Sequence, residues 1–142
     1  TRGRKMIRCA CLVVQNQPFE ILLVRVRDNQ KWYLPGGKIE PNEKPEQTLI
    51  RELKEELGVS LSANEISYLT TVIGAAYGVD DCVELVCFSV SKIGVIKPLA
   101  EISEVRFVNW QTECQLIAPA VLQLCDTFLD NVGVAVKGVC YE

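Results

Sequence analysis

The chain has 142 residues, of which 49% are apolar and 23% charged, with a formal net charge of −3 and no histidine. That length and balance describe one globular domain with a core of its own and exclude a disordered chain. No apolar run approaches the roughly 18 residues that a membrane-spanning helix needs, and no basic cluster is large enough to follow a polymeric nucleic-acid backbone.

Thr1 to Lys5 precede Met6 and are set aside as an N-terminal extension or residues foreign to the domain, which is expected over 6–142. The basic start leads directly into an alternating strand pattern, so no secretory signal is expected. The seven cysteines are odd in number, contain no Cys-x-x-Cys pair and mostly sit in apolar surroundings. Free thiols in a reducing cytoplasm explain them better than disulfides or a zinc site. Without histidine there is no Ser–His or Cys–His machinery, and acid–base work falls to carboxylates, lysine or metal-bound water.

In chain order, Ile7 to Val14 reads as a β-strand, Asn16-Gln17-Pro18 as a turn and Ile21 to Val26 as a second strand. Arg25 and Arg27 share one face of that strand. Trp32-Tyr33-Leu34, whose aromatics suit the core or its rim, leads into a glycine turn at Gly36-Gly37, then Lys38 and an acidic loop. A helix follows from Pro45, favoured in a first turn, to Leu57, with Gly58 just past its end. Leu49, Ile50, Leu53 and Leu57 form its core stripe, while Glu52, Glu55 and Glu56 share a neighbouring arc of about 100°. No lysine or arginine at helical spacing falls within that arc. A solvated acidic face is the ordinary explanation of such a cluster, but it leaves the glycine pair, the acidic loop and Arg51 unexplained. Hard divalent cations take several oxygen ligands, which such a face beside a free backbone carbonyl supplies.

Further on, Ile66 to Val72 and Val83 to Val90 read as strands around a Gly74–Asp81 loop. Glu101-Ile102-Ser103-Glu104 precedes a strand from Val105 to Trp110, and a helix is expected over Ala118 to Leu129. The tail from Val132 alternates weakly and suits an added strand or a contact with a partner such as a second copy of the chain. Strands alternating with two helices suggest an α/β fold with a mixed sheet between helices.

Gly37, five residues, Glu43, seven residues, Arg51-Glu52, an apolar residue, one more, Glu55-Glu56, one more, Gly58 and an aliphatic residue form a complete Nudix box. Seven identities at fixed spacing would coincide by chance on the order of less than once per million sequences. The chain thus resembles the Nudix hydrolases of MutT type, loosely from about Met6 to Ala120. The resemblance implies an α/β/α sandwich with the box helix packed on a mixed sheet, and Mg²⁺-dependent hydrolysis of nucleoside diphosphates linked to another group, with Mn²⁺ as a substitute metal. Carried over residue by residue, it implies metal ligation by Glu55, Glu56 and the Gly36 carbonyl. It gives Glu52 the role of ligand or base, Arg51 that of orienting carboxylates, and Glu43 that of completing the loop or an outer metal. Glu101, with Glu104 as its rival, would be the downstream ligand, and Arg25 and Lys38 would meet substrate phosphates.

Two departures bear on specificity. Asn42 stands where glycine is common in the family, and asparagine tolerates the left-handed conformation. The asparagine that reads guanine in MutT-type relatives would fall within Ile117-Ala118-Pro119-Ala120, which has none. Tyr77 lies at a spacing seen in dinucleoside polyphosphate hydrolases. The readings are therefore a nucleoside triphosphate pyrophosphohydrolase first, the same chemistry on a dinucleotide or nucleotide sugar second, and a non-catalytic nucleotide sensor third.

Overall fold

Period-two alternation along the strands divides the interior into two cores, one under each long helical element. The computed structural model describes residues 6–76 and 81–129 and the backbone of Cys140 and Tyr141. Strands β1 (Met6–Leu12), β2 (Glu20–Val26), β3 (Gly36–Lys38), β4 (Ile66–Ala75), β5 (Cys82–Val90), β6 (Val95–Ile96), β7 (Ile102–Asn109) and β8 (Cys140–Tyr141) accompany helices α1 (Pro45–Leu57) and α2 (Pro119–Leu124). The main sheet has the order β3-β1-β5-β4; β2 pairs with β7 and β6 with β8. It is mixed, because β1 runs parallel to β5 while the β1–β3 and β4–β5 pairs are antiparallel.

Ala10, Leu12 and Val14 share a core with Leu22, Val24, Val86, Phe88, Val105, Phe107 and the α1 residues Leu49, Leu53 and Leu57. The intervening Cys11, Val13, Ile21, Leu23, Leu85, Cys87 and Val108 pack instead with Trp32 and the α2 side, including Val121 and Leu124. The expected α/β/α layering and the mixed sheet are both present. Leu49, Leu53 and Leu57 are at most 1% exposed, and each such side chain contributes roughly 1.5–3 kcal/mol by leaving water.

Four local expectations change. The segment read as a glycine turn is β3, since Gly36 and Gly37 pair with Cys11 and Ala10. The strand expected from Val105 begins earlier, at Ile102, so Ser103 and Glu104 lie within β7, paired with β2 apart from the main sheet. The last helix is α-helical only to Leu124 and continues as a π-turn over Cys125–Leu129. The loop expected from Gly74 starts later, because β4 runs to Ala75. At the tail, Cys140–Tyr141 pairs in parallel with Val95–Ile96.

Candidate active site

The acidic helix face is built from its two ends inward. Pro45 occupies the first turn and the Gln47 side chain accepts from the Lys44 N–H at 2.8 Å, satisfying one of the helix's orphan donors. At the other end Gly58 adopts φ 66°, donating to the Lys54 carbonyl, while the Val59 N–H reaches Leu53, a glycine stop that closes the last turn. Asn42 also takes a left-handed φ of 66°, as the loop requires.

Arg51 is the counterion that the helical arc left out. It grips Glu43 twice, Nε to Oε2 at 2.9 Å and Nη2 to Oε1 at 3.1 Å, and Nη1 donates to Glu52 at 2.8 Å. The same nitrogen is 3.6 Å from Glu55, one turn along. The three carboxylates are therefore not a bare repelling triad. Glu43 also accepts from the Glu40 N–H at 3.1 Å and the Thr48 hydroxyl at 2.6 Å. The Arg51 guanidinium, followed by the Thr48 hydroxyl, holds its carboxyl down at about 2. Its position closes the loop onto the helix.

Glu56 differs. It is 8% exposed, and burial, a hydrogen bond with Glu101 and the charges of Glu52, Glu101 and Glu55 push its carboxyl up to about 8. Glu52 is raised too, first by burial, against the opposing pull of Arg51. Its side chain lies so close to Gly37 that a Cβ there would stand 2.4 Å from the Glu52 Cδ. Only glycine lets β3 approach the acidic face this closely.

Glu101 reaches Glu56 because its backbone is fixed on two sides. The Glu101 carbonyl accepts from the Arg27 N–H at 2.9 Å, and Leu99, two residues earlier, donates to the Glu56 carbonyl at 2.8 Å. Ala100 between them sits at φ 53°, a left-handed conformation that costs a non-glycine residue about 1–2 kcal/mol. Glu104 is elsewhere: it meets Arg25 at 2.8 Å. Paired residues of the β2–β7 ribbon point to one face, and Arg25 pairs with Glu104, so both lie off the face that Val24 and Val105 turn toward α1. Arg25 also lies 5.7 Å over the buried Trp32 ring, which Arg106 approaches to 5.0 Å. Arg25 is thus engaged away from the carboxylates. Lys38 is exposed at the end of β3, in register with Cys9. Tyr77 lies outside the described residues.

Beside Glu56, Gly36 and Gly37 opens a cavity of about 330 Å³, lined further by Cys9, Cys11, Tyr33, Ala118 and Val121 among others. This is within the range of small-molecule sites. Cys9 belongs to the site although the sequence marked it only as one of the free thiols: burial raises its thiol, Lys38 opposes and Glu52 adds to that shift. The alternation Cys9-x-Cys11 was its one sequence signal, since it places both thiols on one strand face.

The donor set fits a hard divalent cation. Glu56, raised by burial and by its hydrogen bond with Glu101, sits where a cation would relieve carboxylate repulsion, and Glu52 and Glu55 adjoin it with Arg51 as partial compensation. Among the described residues no three such groups already converge to hold an ion. Ligation by Glu56 would require it to give up its proton.

A NUDIX domain model matches residues 5–123. A Bacillus subtilis protein named putative 8-oxo-dGTP diphosphatase is 43% identical over 49 residues, 34% of this chain and 33% of that protein. The CTP pyrophosphohydrolase of Escherichia coli is 34% identical over 64 residues, 43% of this chain and 47% of that one. The matched stretch thus spans about a third to a half of these curated relatives. Among solved structures, the E. coli ORF135 protein is 26% identical with a TM-score of 0.66, covering 89% of this chain and 90% of that one. A MutT protein from Methanosarcina mazei superposes with a TM-score of 0.71 at 21% identity, over 90% and 96% of the two chains. With the complete box folded into a glycine-backed acidic helix and the domain model spanning most of its length, this chain belongs to the Nudix hydrolase family.

Proposed function

We propose that the protein is a divalent-metal-dependent pyrophosphohydrolase that cleaves nucleoside triphosphates to monophosphate and pyrophosphate. The observation that carries this reading is the carboxylate quartet of Glu52, Glu55, Glu56 and Glu101, backed by Gly37, with Glu56 on the wall of a cavity of about 330 Å³. The names of the relatives, which include nucleoside triphosphatases, support the triphosphate over other phosphoanhydrides.

Nudix hydrolases are in general divalent-metal dependent. Glu55, Glu56, Glu101 and the Gly36 carbonyl would hold the ion, with Mg²⁺ first and Mn²⁺ as a substitute. When bound, the metal supplies charge neutralisation on the phosphate oxygens and a lowered pKa for water. The chain's own residues do the rest. Glu52, partly desolvated and held by Arg51, is placed to accept the attacking water's proton. Arg51 and Glu43 fix the direction of that carboxylate without touching substrate. Lys38, an exposed cation at the end of β3, adds charge for phosphate. Gly37 leaves the room beside β3 that the Glu52 side chain occupies.

The test is a panel of nucleotides with Mg²⁺, following release of phosphate and pyrophosphate. Expected is pyrophosphate from triphosphates, abolished by excess chelator and restored by Mg²⁺ or Mn²⁺. Full turnover in chelator would falsify the metal-dependent reading. Exclusive cleavage of dinucleoside polyphosphates or nucleotide sugars would replace the substrate assignment.

A further inference from the structure

Thr48 lies near the start of α1 and is fully buried, although its position is one of the seven that the box leaves open between Glu43 and Arg51. A buried hydroxyl must place its proton on an acceptor, and Thr48 has two within reach. The Glu43 Oε1 lies at 2.6 Å and the Lys44 carbonyl at 3.3 Å. A hydroxyl has one proton to give, and the shorter bond to the charged group is the stronger. Glu43 therefore receives it. Among the described residues, Oε1 of Glu43 accepts from Thr48, the Glu40 N–H and Arg51 Nη2, and Oε2 accepts from Arg51 Nε. The Glu40 N–H belongs to the loop itself and Arg51 is partly exposed; Thr48 is the donor anchored in the buried side of α1.

Resting on the reading of this site as a pyrophosphohydrolase in which Glu52 takes the water's proton, we propose that Thr48 is a positioning residue for that reaction. Its hydroxyl fixes the Glu43 carboxylate, Glu43 grips Arg51 through Nε and Nη2, and the remaining Nη1 holds Glu52 at 2.8 Å. A guanidinium is a rigid planar fork, so holding two of its nitrogens aims the third. A Glu43 carboxylate without its anchor in the helix lets the fork turn, and Glu52 loses its direction. A hydrogen bond to a charged group is worth about ten- to a hundredfold. Three donors to Glu43 remain without Thr48, so a fall in kcat of roughly five- to tenfold is expected.

The test compares Thr48→Val, which keeps the shape and removes the hydroxyl, with Thr48→Ser, which keeps the hydroxyl, each alone and combined with Glu43→Ala. Read out are kcat per folded molecule on a triphosphate, KM and the half-activating Mg²⁺ concentration, with thermal melting to give the folded fraction. Thr48→Val should lower kcat roughly five- to tenfold, leave KM and the half-activating Mg²⁺ concentration within about twofold, and gain nothing from excess Mg²⁺. Thr48→Ser should recover most of kcat. With Glu43→Ala, where the acceptor is gone, Thr48→Val should change kcat by less than about twofold further. A wild-type kcat in Thr48→Val, or an equal fall with and without the Glu43 carboxylate, overturns the inference and leaves the pyrophosphohydrolase reading standing. A rate restored by high Mg²⁺ also overturns it, because the hydroxyl would then act on the metal ligands rather than on Glu52. Absence of wild-type turnover on every triphosphate overturns both.

Discussion

Glu56 and Glu52 lie one turn apart on the same helix face, yet their surroundings prepare them for different work. Glu56 is buried against Glu101 and keeps a proton up to about pH 8, whereas Glu52 has Arg51 at 2.8 Å. Glu56→Gln is expected to weaken Mg²⁺ binding and lower kcat, with part of the rate recovered at high Mg²⁺. Glu52→Gln is expected to leave Mg²⁺ affinity nearly unchanged and to lower kcat by roughly a hundredfold or more, beyond rescue by metal. Titration calorimetry beside steady-state kinetics separates the two, and near-normal turnover in the Glu56 variant would remove the box from the active site. Sequence alone marked these glutamates, because helical periodicity places them on one arc. It misjudged their charge environment, since Arg51 reaches Glu55 along the helix and Glu52 from the adjoining position, where the arc argument excluded it. Sequence spacing preferred Glu101 but kept Glu104 as a rival, because what sets them apart in space is the β2–β7 register and the bulge at Arg25/Val26.

At the scale of elements, β3 and α1 are held in contact by two adjacent glycines with different tasks. A Cβ on Gly36, at φ 141°, would stand 2.0 Å from the Ala10 carbonyl oxygen, whereas one on Gly37 would press on a side chain. Gly36→Ala should therefore cost about 3–5 kcal/mol or prevent folding, through backbone strain with no room to relax. Gly37→Ala should fold with a modest loss of stability while losing most activity, because Glu52 must move. Gly58→Ala provides the contrast: its Cβ would make an ordinary 3.4 Å contact with Leu99, so only the left-handed φ is penalised, at about 1–2 kcal/mol. Denaturant unfolding with activity per folded molecule checks all three; a Gly37→Ala enzyme of full activity would contradict the packing argument. The elements themselves were largely legible from alternation and from the proline and glycine that bracket α1. The short β3 was not, because two glycines carry no strand propensity and their pairing is imposed by β1.

For the whole molecule, the site leaves an imprint on stability as a function of pH. In metal-free protein the Glu56 carboxyl is raised from the ordinary 4.5 to about 8. Between those values the folded chain keeps a proton that the unfolded chain has released, so its contribution is full below pH 4.5 and is lost as pH rises through 8. Glu43, held down at about 2, acts oppositely: its contribution is present above pH 4.5 and is lost as pH falls toward 2. Melting curves in chelator should show stability declining from pH 5 to 8 in the wild type, and a flatter profile in Glu56→Gln. An unchanged slope in that variant would mean that other groups set it. Leu53→Ala, by contrast, should lower stability by about 2.7–5 kcal/mol at every pH, as a deletion in the α1 core. Composition foretold the globular character, but the division into two cores was legible only in part. Alternation reveals that a strand has two faces, and only topology says which helix covers each.

The tether between Leu99 and the Glu56 carbonyl has a consequence for how this protein can vary over generations. The acid at 101 is presented by main-chain bonds, from Leu99 to Glu56 and from Arg27 to Glu101, and such bonds are indifferent to the side chains around them. Substitutions at 97 and 99 can accumulate without moving the acid, provided that neither becomes proline, since Lys97 and Leu99 each donate an N–H to the end of α1. At 100 the pressure runs the other way, because glycine would adopt the left-handed turn more readily than the alanine now there. A lineage can thus rewrite the segment around its downstream carboxylate while keeping the carboxylate in place.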